Sequence, residues 1–414
     1  MHTGMLVHLD LKGSPMKVSY LEKLFPILVN NGATGLLIEW EDTFPYSGNL
    51  TDIGSVNTPS KAYSADEIRF ILHLAQSLNL VVIPLIQTIG HLEVWSMGVC
   101  DQCKNQDKHH LFLNHVNSVV NHLRSKHPSV TSIIMWDDML RSIKLELLKE
   151  YDFWDFVEPM VWHYQSAEFF QLDIELWKKY SFVFTRVWVA SAFKGASGSC
   201  QILPVISQHI SNHEKWSSIV SDPSFSLQFQ GIALTGWSRF DHYAILCELM
   251  PVAIPSLVLC LKTWIESGFS SQIHSEISTA LGYLSEPIPL NPYPRPQPVP
   301  EGLNFPNWQV LTGVGWFANF RTKYQNTINS DHFSSWLNPW QRKKNFLNLM
   351  QSECLIKTLF GLRDEIDLII KYLRPNLLQV YYESVVDEWF GSVVNPILDN
   401  LVNVLESLPP DCVK

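Results

Sequence analysis

The sequence predicts an α/β fold: a (β/α)8 barrel one strand–helix unit short, followed by a helical C-terminal region. Three observations carry this. Apolar runs of strand length recur through the first 240 residues, and helix-length amphipathic stretches separate them. The runs are near-continuously apolar, as strands buried on both faces of a parallel sheet must be. Their number stops at seven, where a closed barrel of this type needs eight.

The predicted strands are residues 6–11, 35–40, 80–86, 132–136, 157–162, 187–192 and 231–237. The predicted helices between them are 19–31, 64–78, 111–125 and 207–219. Ser64-Ala65-Asp66-Glu67 has the pattern of a capping box, a hydroxyl followed three residues later by a glutamate. The long interval lies between Ile86 and Ile133. It holds one helix and the polar stretch 100–108, but no good strand. Residues 243–284 read as helices completing the outer layer. The barrel is therefore assigned to 1–284, incomplete around 93–110. Eight prolines between 287 and 306 mark 285–308 as a stiff linker. Residues 309–414 read as an amphipathic helical domain with no catalytic constellation.

A formal charge of -10 and no dense basic patch exclude a nucleic-acid partner and fit a neutral substrate. No apolar run reaches the roughly 20 residues of a membrane span, so no membrane partner is expected. The first ten residues lack a basic stretch followed by an apolar one. The expected compartment is cytoplasmic, nuclear or both, with the seven cysteines as reduced thiols. In that compartment the sequon Asn49-Leu50-Thr51 stays idle. Cys100 and Cys103, with His109 and His110, form half of a zinc pattern. No second cysteine pair exists, and no metal or cofactor is called for.

Tryptophan is abundant, at 15 residues. Trp40, Trp136, Trp162, Trp188 and Trp237 fall at or near the ends of predicted strands, with polar groups close behind. In a β/α barrel the C-terminal ends of the strands form the active face. An aromatic wall rimmed by Glu41, Asp42, Asp137, Asp138, His163, Tyr164, Lys194, Arg239 and Asp241 suits a pyranoside, whose ring face stacks on aromatic planes. Some of these tryptophans are expected to pack against helices instead. Asp10 ends the first strand, facing either the mouth or solvent.

These phrases together resemble family 20 of the glycoside hydrolases, the β-N-acetylhexosaminidases. The resemblance rests on Val7-His-Leu-Asp-Leu-Lys-Gly-Ser-Pro15, Gly35-Leu-Leu-Ile-Glu-Trp-Glu-Asp-Thr-Phe-Pro45, Ile83-Pro-Leu-Ile-Gln-Thr-Ile-Gly-His-Leu-Glu93, Trp136-Asp-Asp-Met-Leu-Arg141, Ala190-Ser-Ala-Phe-Lys-Gly-Ala196 and Leu234-Thr-Gly-Trp237. It covers about residues 4–265. It implies a retaining hydrolysis in which the substrate's own 2-acetamido oxygen attacks the anomeric carbon. An Asp orients the amide, and the adjacent Glu is the general acid and base.

In the family both carboxylates come from a His-x-Gly-x-Asp-Glu-Val phrase on the fourth strand. This sequence lacks that phrase. At Gly90-His91-Leu92-Glu93-Val94-Trp95 two family motifs look joined at a shared Glu93. Glu93 is then the relic candidate for the general acid, and Leu92 stands where the Asp would be. By resemblance the sugar-binding set is Asp10, His91, Trp136, Asp137, Trp162, Tyr164, Trp237 and, more loosely, Asp241. The implied substrate is the terminal GlcNAc or GalNAc of a glycoconjugate. The alternative is an inactive splice form or pseudoenzyme that at most binds sugar or a protein partner. A homo-oligomer stays open.

Overall fold

The structure, a computed structural model, describes residues 4–54, 62–88, 97–291 and 302–409. One parallel sheet contains β1 (Gly4–Asp10), β2 (Gly35–Glu39), β3 (Val81–Leu85), β4 (Ile133–Trp136), β5 (Val157–Trp162), β6 (Arg186–Lys194) and β7 (Gln228–Gly236). The order is β3-β2-β1-β7-β6-β5-β4. First and last strands are therefore neighbours, paired from Gly4↔Gly231 to Val7↔Leu234. The sheet curls as a β/α barrel does, but β3 and β4 are its two ends, with no strand between them among the described residues. A Cβ on Gly231 would lie 2.0 Å from the Gly4 carbonyl oxygen, so only glycine permits this closure.

Strand alternation sorts side chains into two apolar layers. Leu6, Leu37, Met160, Ala190 and Ala233 point into the curl, where they meet Trp136, Trp162 and Trp188. Val7, Leu9, Leu36, Ile38, Val161, Val189 and Leu234 point outward into the main core. The principal outer helices are α1 (Val18–Asn30), α2 (Ala65–Ser77), α3 (Lys108–Lys126), α4 (Ile174–Ser181), α5 (Ile206–Val220) and α6 (Met250–Ile265). The capping box of α2 forms: Glu67 N–H donates to Ser64 Oγ at 3.2 Å, and Ser64 N–H to Glu67 Oε2 at 2.8 Å. Helix α6 is buried almost all round, because the sheet covers one side and the C-terminal helices the other. No helix among the described residues is long and apolar enough to cross a membrane.

Beyond the proline-rich stretch come α7 (Trp308–Ile328), α8 (Leu349–Leu377), α9 (Glu383–Trp389) and α10 (Asn395–Glu406). The expected linker is pinned at both described ends, since Ile288, Leu303 and Phe305 are buried in the common core. The segment between α8 and α9 inserts against the loop after β1. Lys17 N–H donates to the Val380 carbonyl at 2.7 Å, and Met16 bridges Tyr381 antiparallel. The Tyr381 hydroxyl accepts from Met250 N–H at 2.9 Å, at the start of α6. Arg239, after β7, donates to Glu388 Oε2 at 2.8 Å.

The two end strands carry the cost of the open sheet. Val81 is 61% exposed, Ile86 just beyond β3 is 70% exposed, and β4 is only half-buried along its length, whereas β1 and β7 are buried at their centres. Unpaired backbone edges of this kind open readily. Hydrogen–deuterium exchange is therefore expected to be much faster at the amides of residues 81–85 and 133–136 than at β1 and β7. Equal protection of all four strands would contradict an open edge.

Candidate functional site

Strand ends bring four aromatic side chains together at one mouth. Trp136 ends β4, Trp162 ends β5, Tyr164 follows two residues later, and Trp237 directly follows β7. Ring centroids of Trp136 and Trp237 lie 5.8 Å apart, those of Tyr164 and Trp237 6.5 Å, and those of Trp162 and Tyr164 5.1 Å with planes nearly parallel. Polar contacts fix the wall. Trp162 Nε1 donates to Asp138 Oδ1 at 2.9 Å, and the Arg141 guanidinium sits 4.7 Å from a Trp162 ring centre. The Lys194 ammonium donates to the Trp237 carbonyl. Gly195 has φ +72°, and a Cβ there would lie 2.2 Å from that same carbonyl oxygen. Glycine is thus required for the β6 loop to press against Trp237.

The carboxylates of the expected set fall in different places. Asp137 is fully buried behind the wall, where Arg141 grips it bidentately at 2.7 Å and the Tyr180 hydroxyl donates at 3.1 Å. Burial pushes its carboxyl upward, and Arg141 offsets part of that. Asp10 ties two loops: Oδ2 accepts from Ser238 N–H at 2.8 Å and Oδ1 from Lys12 N–H at 3.1 Å. Burial, then nearby Glu39, raises Asp10 to about 6. Asp241 is exposed on the turn after β7, accepting from Tyr243 N–H at 3.1 Å. His91 and Glu93 lie outside the described residues.

Two of the expected tryptophans pack elsewhere. Trp40 is buried edge-on against Phe44 and Tyr63. Trp188 sits near the start of the long strand β6, inside the curl, donating to buried Glu158 at 2.7 Å. Of the sparse zinc pattern, His109 contacts Ser142 Oγ at 3.2 Å and His110 lies 3.5 Å from the Tyr151 hydroxyl. Neither joins the cysteines.

The sequence reading missed a polar cluster beside Trp237. The ring of His8 stands edge-on to Trp237 at 4.6 Å, and its Nε2 is 3.2 Å from Glu39 Oε2. Gln87 Nε2 donates to the other oxygen of Glu39 at 2.9 Å. Burial, then the neighbouring Glu41, raises Glu39 to about 8, while burial lowers His8 to about 4. Near neutral pH both are uncharged, so their contact is a neutral hydrogen bond rather than an ion pair. Glu41 has φ +40°, a strained value for a side chain with a Cβ, and Lys12 holds its carboxylate at 2.6 Å. The signal was a histidine and a glutamate inside otherwise apolar strands, which burial makes costly without partners.

Two outcomes follow from this chemistry. Asp137→Ala leaves the Arg141 guanidinium without its buried partner and is expected to cost about 3 kcal/mol in urea unfolding. In the native state Glu39 keeps its proton up to about pH 8, while the unfolded chain releases it near pH 4.3. Its contribution to stability is complete at low pH and is lost as pH rises through that window. The Tm of Glu39→Gln relative to the parent is therefore expected to rise steadily from pH 5 to pH 8. A constant difference would contradict the raised carboxyl.

A comparison with protein-family models gives no match. Hexosaminidase D of Homo sapiens is 31% identical over 469 aligned positions, covering 97% of this chain and 94% of that protein. That alignment is longer than the 414-residue chain itself, so the human protein carries residues this chain lacks. Hexosaminidase D of Bos taurus is 36% identical over 349 positions, 68% of this chain and 97% of that protein. Among solved structures, a GH20 beta-N-acetylhexosaminidase from Streptomyces coelicolor A3(2) aligns over 68% of this chain and 66% of its own, at 11% identity and a TM-score of 0.41. The identity and near-full coverage of the two mammalian relatives place this chain in the hexosaminidase D family.

Proposed function

We propose that the mouth binds the terminal non-reducing N-acetylhexosamine of a glycoconjugate, and that the chain's chemistry is substrate-assisted retaining hydrolysis of its β-linkage. The observation that carries this is the convergence of Trp136, Trp162, Tyr164 and Trp237 at one end of the sheet. Stacked aromatic faces match the apolar face of a pyranose, and a hydroxyl or carboxylate at the rim takes its polar edge.

In this reading Trp237 is the floor, and Trp136 and Trp162 are walls. The Tyr164 hydroxyl, whose pKa burial raises, stays protonated and donates to the acetamido group. Asp10 takes a sugar hydroxyl, and His91 and Asp241 add further contacts. Asp137 acts through Arg141, which holds Trp162. Glu93 is the general acid. The acetamido oxygen attacks the anomeric carbon as the leaving oxygen is protonated, and water then opens the oxazolinium ion.

A second reading, sugar binding without turnover, is favoured by a specific observation. The Asp-Glu pairs lie at Asp66-Glu67 in the first turn of α2, at Asp364-Glu365 inside α8 and at Asp387-Glu388 inside α9. None of them follows a strand. Loss of one of the two carboxylate roles costs about 10²–10⁴ in rate on general acid–base grounds alone.

The two readings part in one pair of assays. Purified chain is titrated calorimetrically with N-acetylglucosamine and N-acetylgalactosamine, then assayed on a chromogenic β-N-acetylgalactosaminide. Saturable sugar binding is expected, weakened roughly tenfold or more by Trp237→Ala, which removes a stacking face worth about 1.5–3 kcal/mol. Binding with turnover that Glu93→Gln abolishes supports the hydrolase. Binding with no turnover supports the second reading. Absence of saturable binding defeats both.

A further inference from the structure

The helical C-terminal region carries an apolar and basic prong that the sugar site does not use. Within residues 340–350, Trp340 is 61%, Phe346 68%, Leu349 50% and Met350 86% exposed. Solvent contact of four large apolar side chains so close together is costly unless something covers them. The rings of Trp340 and Phe346 pack edge to face at 6.1 Å, so the patch is continuous across the turn. Lys343 and Lys344 lie between them, exposed and without a carboxylate partner among the described residues. Nearby Glu353 is already paired with Lys357 at 2.7 Å. In a chain of formal charge -10, this is a local positive spot.

The prong is held rigidly from beneath. Leu337 is fully buried, and the Arg342 guanidinium turns back to donate to its carbonyl at 2.9 Å. Asn338 and Gln341 close a capping box around the helix Pro339–Lys344. Asn345 takes a left-handed φ of 51°, and Phe346 N–H donates to the Gln341 carbonyl at 2.9 Å. The backbone hydrogen bonds are thus satisfied inward, while the tryptophan, phenylalanine and methionine face out.

We propose that this prong docks the protein peripherally on an anionic phospholipid surface, which departs from the expectation of no membrane partner that the lack of a spanning run gave. Trp and Phe favour the bilayer interface, Leu and Met enter the acyl boundary, and Lys343 and Lys344 face the headgroup charge. A second copy of the chain fits the prong less well. A two-fold contact at this patch would set each lysine pair against its own image.

The test uses the full chain and sedimented vesicles, of phosphatidylcholine alone or with phosphatidylserine. Binding to the phosphatidylserine vesicles is expected, falling steeply with salt. Lys343→Glu with Lys344→Glu is expected to lower it by at least 20-fold, and Phe346→Ser with Met350→Ser to abolish it. All four positions are exposed, and unchanged thermal melts confirm that each variant folds. No binding, or equal binding to both vesicle types, overturns the proposal. So does a lipid-free dimer, seen by sedimentation velocity, that the Phe346→Ser, Met350→Ser variant dissociates.

Discussion

The pairing of β1 with β7 is the constraint on which the rest depends. A barrel normally has redundancy, because every strand has two neighbours and the ring closes. Here the sheet has two ends, so the first and last strands must hold the curl between them. Gly4 and Gly231 let those strands meet at the bottom, and Asp10 with Ser238 ties their loops at the top. If that seam parted, Trp237 would leave the aromatic wall and the two halves of the sheet would share no strand contact.

The polar groups are arranged around the same seam. His8 on β1 meets Trp237 after β7, and Glu39 on β2 supports His8. Each of these groups is buried where the charged form is costly, and the protein answers by keeping them neutral rather than by supplying counter-ions. The wall on the far side is held differently. There Arg141 is charged, grips buried Asp137 and also donates to the Trp162 carbonyl. One side of the mouth is therefore rigid through ion pairing and the other through neutral hydrogen bonds.

Much of the architecture was legible in the sequence, because buried parallel strands leave continuous apolar runs that helical segments do not. All seven runs became strands, and the gap between Ile86 and Ile133 holds no strand among the described residues. Strand length was less legible. The strand predicted at 187–192 spans Arg186–Lys194, and Trp188, third along it, stands at the bottom rather than at the mouth. Trp40 directly follows β2, but a side chain's direction just past a strand depends on the loop it enters, and Glu41's left-handed backbone turns the chain there. Four aromatics of the mouth were readable because they sit at or just beyond strand ends. His8 and Glu39 were passed over because a buried polar residue announces its role only through a partner distant in sequence.

The tie between Lys17 and Val380 has a consequence for biosynthesis. The loop after the first strand, which carries Lys12 and Gly13 to the mouth, is fastened by backbone made more than 360 residues later. A nascent chain emerging N-terminus first can pair β1 with β2 early, but β7 and the strap at 378–382 arrive late. Contacts so distant in sequence close slowly. The loop after β1 therefore stays unfastened until residues 378–382 have been made, and its amides are the last of the sheet's upper rim to gain protection.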